Sequence, residues 1–472
     1  MAIDEKQIEK IVRGVVESLL ASSDATSLKV SPLLSSQDGL FDDIDDAIAS
    51  AKRAQNELVS LGREKRFKII EAIRKASLEN KERLARLAVD ETKMGRYEDK
   101  IIKNEVAATR SVGPEDLEVK TYRGDEGTII IDRAPFGVIA AIEPMTNPTA
   151  CTINAAIVMI SGGNSVVFLP HPSAHRCTTE TVKIIHRAIV EAGGPLNLVT
   201  AARESKIENV QKAFKNDDVS MIVATGGPGI VRLSLKSGKK VIGAGPGNPP
   251  VIVDDTCDVE KAARDIEAGA SFDNNILCNE EKVIICMKAS LEELLSAFAK
   301  GKTVVLTREQ AQRVTSLVVK DGEIVKEYMG KDASVILSQA GISVDPSVRL
   351  AVFVAESESH PLVQHEQLMP VLPILVVDTF EEAIEVACRV EHGFGHTALI
   401  HTRDMNRVTM FGQAIGTTNL IVNGPSQAMA AELSRGGTSW TIAGPTGEGC
   451  TTPRTFTRER RLVISGSLNF VK

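Results

Sequence analysis

Short apolar segments alternate with helical segments through most of this chain. Between residues 136 and 256 the runs FGVIAAIEP, SVVFLP, LNLVTA, VSMIVAT, KKVIGA and PPVIVDD each have the length of a buried strand. Helical patterns over Thr149–Ser161 and Ala174–Ala192 separate the first of these runs. A strand that is followed by a helix and another strand is typical of a parallel sheet with crossover connections. The pattern therefore predicts a parallel α/β fold.

The alternation continues through the second half of the chain, which indicates a second domain of the same kind. Strands are predicted there at 283–287, 303–306, 350–354, 371–377 and 397–401. A chain of 472 residues is also too long for one hydrophobic core. We therefore predict two parallel α/β domains, the first over residues 41–256 and the second over residues 257–440.

Two further segments indicate contacts between subunits. Residues 121–133, inside the first domain, predict a β-hairpin around a Gly-Asp-Glu-Gly turn. Residues 441–472 are predicted to be a C-terminal return segment that contains an oligomerisation strand, FTRERRLVIS. Edge strands offer unpaired backbone groups to a partner. We therefore predict a small oligomerisation hairpin and a homodimer or homotetramer.

The N-terminus predicts a separate amphipathic helix. Within residues 1–20 the isoleucines, valines and leucines fall on one broad stripe, and the charged residues lie elsewhere. Residues 21–40 are rich in Ser, Asp and Pro, as a flexible linker would be. A helix on such a linker indicates a docking peptide; the alternative is an ordinary helix packed on its own domain.

Composition excludes several classes of protein. The formal net charge of -7 is unfavourable for a nucleic-acid partner. No apolar run approaches the roughly 18 residues of a membrane span, and no secretory signal is present. The seven cysteines are scattered without a CxxC pair, and the eight histidines show no metal-binding spacing. We expect a protein of a reducing cytoplasm with no metal site.

Cys278 is the candidate nucleophile. It lies in AGASFDNNILCNEEKVII, between a helical pattern and the apolar alternation KVIICM, so it is predicted on a loop with rigid support. A thiol is the best nucleophile among the side chains at neutral pH, and its adducts with carbonyls can lose hydride. A buried structural cysteine is the alternative. The polar flanking residues Asn274, Asn275, Asn279 and Glu280 favour the nucleophile.

Four other segments carry groups that suit a nucleotide and a carbonyl substrate. In EPMTNP, the amide of Asn147 can face a developing oxyanion. In ATGGPGIV, the glycines allow backbone N–H groups to approach a pyrophosphate at a helix N-terminus. GAGPGNPP joins two strands and so fails the usual dinucleotide fingerprint, which must open a helix. In HEQLMPVLP, Glu366 can accept hydrogen bonds from ribose hydroxyls.

Together these segments resemble the aldehyde dehydrogenase superfamily over nearly the whole chain after residue 40. The segments TNPT, PHPSA, TGGPGIV, GAGPGNPP, GASFDNN, MPVLP and PTGEG are most similar to the CoA-acylating propionaldehyde and acetaldehyde dehydrogenases of bacterial microcompartments. The resemblance implies an aldehyde dehydrogenase-like fold and NAD as the cofactor. It implies that Cys278 is the nucleophile, with the Asn147 amide and the Cys278 backbone N–H as the oxyanion hole. The implied cofactor-binding residues are Thr146, His171, Pro172, Ser173, Gly226, Gly227, Ile230, Gly243 and Glu366.

Two departures from the hydrolytic members of the superfamily bear on the reaction. Those members place a glutamate, which activates water, where this chain has Gly243. Without that base, a thioester on Cys278 should persist until a thiol such as coenzyme A attacks it. The hydrolytic members also hold the adenosine ribose with Lys and Glu side chains, where this chain has Leu169-Pro170-His171-Pro172. Backbone groups must then supply more of the contacts with the cofactor, and the choice between NAD and NADP stays open.

These observations predict an NAD-dependent enzyme that oxidises a short aliphatic aldehyde, of the propionaldehyde or acetaldehyde class, to its acyl-CoA. His396 either assists the incoming thiol or is a structural histidine. The resemblance further implies that residues 1–20 are an encapsulation peptide that binds microcompartment shell or core proteins, which places the enzyme in the bacterial cytoplasm within a microcompartment. The alternatives are a hydrolytic aldehyde dehydrogenase that releases the free acid and a non-catalytic cargo or scaffold protein.

Overall fold

A six-stranded parallel sheet forms the centre of the first half of the protein, with the strand order β1-β6-β5-β4-β7-β8. The computed structural model describes residue 36 and residues 38–429 and 437–466. The predicted docking helix over residues 1–20 therefore lies outside the described residues. The strands of this half are β1 (Leu40–Phe41), β2 (Lys120–Gly124), β3 (Gly127–Pro135), β4 (Val138–Ile142), β5 (Ser165–Leu169), β6 (Val199–Ala202), β7 (Val219–Thr225) and β8 (Lys240–Ala244).

Helices cover both faces of this sheet. They are α1 (Ile44–Ser60), α2 (Gly62–Glu79), α3 (Lys81–Thr92), α4 (Tyr97–Arg110), α5 (Pro148–Ser161), α6 (His175–Glu191), α7 (Ile207–Lys215) and α8 (Pro228–Leu235). Every residue of α5 is buried, because it packs between the sheet and the outer helices. Ile44 and Ile48 of α1 bury the opposite face. With both faces covered, the strands are apolar throughout, which is why the sequence shows them as continuous hydrophobic runs.

A seven-stranded parallel sheet organises the second half, with the order β11-β14-β15-β10-β9-β16-β17. Its strands are β9 (Pro250–Val253), β10 (Val283–Met287), β11 (Thr303–Val305), β14 (Leu350–Val354), β15 (Val371–Val377), β16 (Thr397–His401) and β17 (Asn419–Val422). The strands outside this sheet are β12 (Val319–Lys320), β13 (Glu323–Ile324), β18 (Ile442–Ala443), β19 (Gly449–Cys450) and β20 (Thr457–Ser465). The helices are α9 (Val259–Ser271), α10 (Leu291–Phe298), α11 (Arg308–Val318), α12 (Ala333–Gln339), α13 (Pro361–Gln364), α14 (Phe380–Val390) and α15 (Met405–Ile415).

Two predicted boundaries are wrong by one strand each. The first domain was predicted to extend to residue 256, but Pro250–Val253 pairs with β10 and β16 in the second sheet. The loop from Gly245 to Pro249 is equally compatible with either sheet, so sequence alone could not assign the strand. The linker was predicted to end at residue 40, but Leu40 already pairs with Ala201 at the edge of the first sheet. A strand of two residues is too short to show a periodicity.

A third sheet joins the predicted hairpin to the C-terminal strand. Strand β20 pairs antiparallel with β3, from Thr457 opposite Pro135 to Ser465 opposite Gly127, and β2 pairs with the other side of β3. All five residues of β2 are exposed. Leu462 and Val463 of β20 are exposed as well. The two segments that were predicted to contact another subunit thus form one surface, and the contact itself stays a prediction.

A buried ion cluster connects helix α4 to the turn Phe272–Asn275 that follows α9. Oδ2 of Asp273 accepts hydrogen bonds from Nζ of Lys100 at 2.9 Å and from Nζ of Lys103 at 2.5 Å. Oδ1 accepts from the backbone N–H of Arg96 at 2.6 Å. The side chain of Asp273 is fully buried, and those of the lysines nearly so. Burial lowers the pKa of Lys100 to about 8, against the opposing effect of Asp273.

We predict that Asp273→Ala strongly destabilises the protein, because it leaves two ammonium groups buried without their counter-ion. The free energy of unfolding should fall by about 3–5 kcal/mol, measured by denaturant titration. Asp378→Ala is the matched control, since it removes the exposed pair with Lys288 and should cost at most about 1 kcal/mol. Equal and small losses in the two variants would contradict the assignment.

Candidate active site

The amino ends of four strands of the second sheet bring together the predicted catalytic segments. Cys278 precedes β10, and the loop containing Gly247 precedes β9. Glu366 precedes β15, and His396 precedes β16. Strands β15, β10, β9 and β16 are neighbours and all parallel, so their amino ends lie at the same edge. This edge unites residues that are more than a hundred positions apart in sequence.

Gly247 allows three of these segments to converge. A Cβ atom at this position would lie 2.2 Å from the carbonyl oxygen of Cys278 and 3.2 Å from Cγ of His396. The backbone N–H of Gly247 donates to Oε1 of Glu366 at 3.2 Å. Any larger residue would displace the backbone of the nucleophile loop. Gly247 is not among the site residues predicted from sequence; its position between two prolines in GAGPGNPP is the only indication that the sequence offers.

Three consecutive residues in the left-handed backbone region precede Cys278. The φ angles are 42° at Asp273, 59° at Asn274 and 64° at Asn275. Asp and Asn tolerate this region better than other residues with a side chain. Asn275 Nδ2 donates to the carbonyl of Ala270 at 2.9 Å and to that of Glu281 at 3.0 Å. These bonds close the loop on which Cys278 sits.

The Cys278 thiol is protonated at neutral pH in this structure. Burial raises its pKa to about 12, and the carboxylate of Glu366 adds to the increase. The ammonium of Lys282 acts in the opposite direction. Lys282 is fully buried, and its Nζ donates to the carbonyl of Asn275 at 2.6 Å. Lys282 is not among the predicted site residues, because a lysine at the start of an apolar strand pattern is usually solvated.

His396 is neutral at physiological pH. Burial lowers its pKa to about 4, and the charge of Lys282 contributes. Its Nδ1 lies 2.9 Å from the hydroxyl of Thr397, and its backbone N–H donates to Oε1 of Glu391 at 3.0 Å. A neutral imidazole at this position retains the capacity to accept a proton.

The predicted cofactor residues other than Glu366 lie at the carboxyl edge of the first sheet. Strands β4 and β7 are neighbours where the strand order reverses, and ligands of such sheets bind outside this point. Thr146 and Asn147 follow β4. Gly226 and Gly227 follow β7, and Ile230 lies in the first turn of α8. His171, Pro172 and Ser173 follow β5.

The backbone at the N-terminus of α8 suits a phosphate group. Gly227 is the N-terminal cap of the helix and has no side chain that could accept hydrogen bonds from the first N–H groups. A Cβ at Gly227 would meet no atom within 4 Å, which indicates an open approach. Free N–H groups and the helix dipole favour an anion here. The residues present therefore fit the pyrophosphate of a dinucleotide.

Gly243 lies in strand β8, and its surroundings are closed. Its N–H donates to the hydroxyl of Thr446 at 3.0 Å. A Cβ at Gly243 would lie 2.8 Å from Cγ1 of Val231. The position therefore holds no carboxylate and has no space for one unless the side chain of Val231 moves.

Lys103 connects the carboxyl edge of the first sheet to the turn that precedes Cys278 in the second half of the chain. Besides its bond to Asp273, its Nζ lies 3.5 Å from the carbonyl oxygen of Thr146. The neighbouring Asn147 is buried, and its Nδ2 lies 3.1 Å from the hydroxyl of Thr146. Lys103 thus contacts Asp273, in the turn before Cys278, and Thr146, which holds the Asn147 amide.

A cavity of about 260 Å³ lies beside the nucleophile loop. Leu277 and Asn279, the two sequence neighbours of Cys278, both line it. The remaining lining residues are Ile102, Lys103, Val106, Phe272, Glu280, Ser426, Gln427 and Trp440. Its volume suits a small organic molecule, since a cavity of about 150 Å³ already binds benzene.

Other site types have no support in the part of the chain that the structure describes. Over residues 38–429 and 437–466, no cluster of three or more His, Cys, Asp or Glu side chains could hold a metal ion. None of the helices in these ranges has the length and apolar character that crossing a bilayer requires.

Comparison with known proteins identifies the family. A model of the aldehyde dehydrogenase family matches residues 28–457. The acetylating acetaldehyde dehydrogenase EutE of Salmonella typhimurium (strain LT2) is 39% identical over 476 residues, which cover 99% of this chain and 100% of the relative. The chain belongs to the aldehyde dehydrogenase family. The predicted family is therefore confirmed.

Solved structures of aldehyde dehydrogenases confirm the predicted fold. A propionaldehyde dehydrogenase from the fucose utilisation microcompartment of Clostridium phytofermentans is 41% identical, with a TM-score of 0.89 over 92% of this chain and 100% of that one. A propionaldehyde dehydrogenase of Rhodopseudomonas palustris is 40% identical, with a TM-score of 0.90 over 92% and 100% of the two chains. The latter structure holds bound CoA and an acylated cysteine.

We predict that alkylation of Cys278 by iodoacetamide in the free enzyme accelerates about tenfold per pH unit between pH 7 and pH 9. The thiolate is the reactive form, and with a pKa raised to about 12 its fraction grows in proportion to hydroxide over this range. Peptide mass mapping measures the rate at Cys278, with Cys278→Ala as the control for the other cysteines. A rate that levels off near pH 8 would show a stabilised thiolate instead.

Proposed function

We propose that this aldehyde dehydrogenase oxidises a short aliphatic aldehyde with NAD and transfers the acyl group to coenzyme A. The observation that carries the choice of acceptor is Gly243, which has no carboxylate to activate water and is packed against Val231. The nearby Glu366 carboxylate accepts the N–H of Gly247 instead. The relatives named above support the same class, since EutE is an acetylating enzyme and the Rhodopseudomonas palustris structure contains CoA with an acylated cysteine.

The first step is the addition of Cys278 Sγ to the aldehyde carbon. The thiol proton must leave, and the ammonium of Lys282 favours the thiolate. The carbonyl oxygen becomes an alkoxide, held by Nδ2 of Asn147 and the backbone N–H of Cys278. One such donor typically contributes about 3 kcal/mol to transition-state stabilisation.

Oxidation of this adduct requires a hydride acceptor close to the first sheet. The nicotinamide cofactor supplies that acceptor when bound. The N-terminus of α8, with Gly226, Gly227 and Ile230, would hold its pyrophosphate, and Glu366 would accept hydrogen bonds from a ribose. Thr146, Gly243 and the backbone of His171, Pro172 and Ser173 complete the proposed cofactor site.

The last step passes the acyl group from Cys278 to coenzyme A. The thiol of coenzyme A attacks the thioester carbon, the bond to Cys278 Sγ breaks, and the protein thiolate is regenerated. Neutral His396 can take the proton of the incoming thiol, since its ring packs beside the loop of Cys278 through Gly247. In sum, aldehyde, NAD⁺ and coenzyme A give acyl-CoA, NADH and one proton.

We predict that steady-state NADH formation from propionaldehyde requires added coenzyme A. Loss of the general base should slow hydrolysis about a hundredfold or more, so turnover without coenzyme A should stop at the acyl-enzyme. Cys278→Ala should abolish oxidation while NAD still binds. Sustained production of free acid without coenzyme A would favour the hydrolytic alternative, and no turnover of any aldehyde would favour a cargo or scaffold protein.

We also propose that the enzyme acts inside a bacterial microcompartment in the cytoplasm and that residues 1–20 bind shell or core proteins. The support is the apolar stripe of these residues and the microcompartment origin of the Clostridium phytofermentans relative. The exposed surface of β2, β3 and β20 would form the contact of a homodimer or homotetramer.

We predict that deletion of residues 1–20 leaves kcat unchanged and abolishes co-assembly with the compartment. Residues 1–20 fused to a fluorescent protein should form foci in cells that produce the compartment. Diffuse fluorescence would argue against encapsulation. A loss of activity on truncation would instead favour a helix packed on the catalytic body.

A further inference from the structure

Three buried polar atoms without partners line the cavity beside Cys278. Among the described residues, nothing forms a hydrogen bond with Oε1 of Glu280, Oε1 of Gln427 or Nε1 of Trp440. All three residues belong to the lining of the same cavity. A buried polar group without a partner costs free energy, typically about 1–3 kcal/mol. Three such groups around one cavity require partners inside it, which water or a polar ligand can supply.

Glu280 has the strongest need for a partner. Its side chain is 1% exposed, and Oε2 accepts the backbone N–H of Leu277 at 3.0 Å. Burial raises its pKa well above the usual range, against the effects of Lys282 and Lys103. A protonated carboxyl carries an O–H donor as well as an acceptor.

The other two groups have fixed hydrogen-bonding roles. Nε2 of Gln427 donates to the carbonyl of Ala268 at 2.7 Å, so its Oε1 is the remaining acceptor. Nε1 of Trp440 can only donate. The cavity thus offers an indole donor, an amide acceptor and a carboxyl group, set among the apolar side chains of Ile102, Val106 and Phe272.

We propose that the preferred substrate of this enzyme is a short aldehyde that carries a hydroxyl group on its carbon chain. This rests on the proposed function and specifies its substrate. A hydroxyl is the smallest group that both donates and accepts, as the carboxyl, amide and indole of the cavity require. The aldehyde carbon would lie at Cys278, and the hydroxyl would occupy the cavity behind Leu277 and Asn279. A hydrocarbon tail would leave the three polar atoms unpaired, and a site of this kind discriminates strongly against such an analogue.

The kinetic test compares matched pairs of aldehydes. We expect kcat/KM for acyl-CoA formation to be about tenfold or more higher for 3-hydroxypropanal than for propanal, or for glycolaldehyde than for acetaldehyde. Values within threefold in both pairs would overturn the proposal. If acyl-CoA still forms in that case, the proposed function stands without this specificity.

Variants assign the preference to the cavity. Glu280→Leu should lower the ratio of kcat/KM for the hydroxyaldehyde to kcat/KM for its unsubstituted partner about tenfold, since the lost bond to Leu277 affects both aldehydes alike. Glu280→Gln, which keeps a donor and an acceptor, should retain most of the preference, and Trp440→Phe should lose part of it. Glu381→Leu, at an exposed carboxylate in α14, is the matched control. Equal losses for both aldehydes in Glu280→Leu would contradict a specificity role.

Binding can be measured without turnover, because Trp440 is the single tryptophan of the chain. Its fluorescence in the Cys278→Ala variant should report a Kd about tenfold lower for the hydroxyaldehyde than for the unsubstituted aldehyde. If Kd differs in this way but the unmodified enzyme turns over no aldehyde, the binding site is supported and the proposed function is rejected. No difference in Kd would reject the site.

Discussion

The buried carboxylate of Asp273 is the interaction on which the active-site geometry depends. It takes its counter-charges from Lys100 and Lys103 of one helix in the first half of the chain, and it stands in the left-handed turn that leads to the nucleophile in the second half. A backbone in this conformation costs of order 1–3 kcal/mol per residue and persists only where its surroundings impose it. Here the ion cluster imposes it, so the same contact joins the two sheets and orients the loop of Cys278.

Close backbone contacts then decide which chemistry the site can perform. Gly247 brings the Cys278 carbonyl, the ring of His396 and the Glu366 carboxylate around one position that lacks a Cβ. Gly243 lies against Val231 and leaves the site without the carboxylate that would activate water. Gly243 lies near the end of strand β8 and Gly247 in the loop that follows, only four residues later, so one short stretch both assembles the nucleophile and restricts the acyl acceptor.

The sequence predicted the regular parts of this structure and missed the buried polar parts. The predicted strands 283–287 and 371–377 coincide with β10 and β15, because a strand covered on both faces must be apolar along its length. The location of Cys278 on a loop between a helix and a strand is also correct. The polar neighbours Asn275 and Glu280, however, are buried. Neither they nor Lys282 could be placed from sequence, since their partners lie far along the chain or in the backbone.

Stability and reactivity of the site respond to pH in opposite directions. Burial raises the pKa of Glu281 to about 7 and that of Glu143 to about 8. In both cases the folded state binds its proton more tightly than the unfolded chain does. The stability that they contribute is therefore complete below their ordinary pKa near 4.5 and is lost as the pH rises through those values.

The Cys278 thiol, with its pKa raised to about 12, gains thiolate over the same rise in pH. Lys282 is the buried cation that acts on both groups, since its charge lowers the pKa of the Cys278 thiol and also favours ionisation of Glu281. One buried charge therefore favours the deprotonated form of both groups, and because Lys282 is fully buried it does so without opening the site to water.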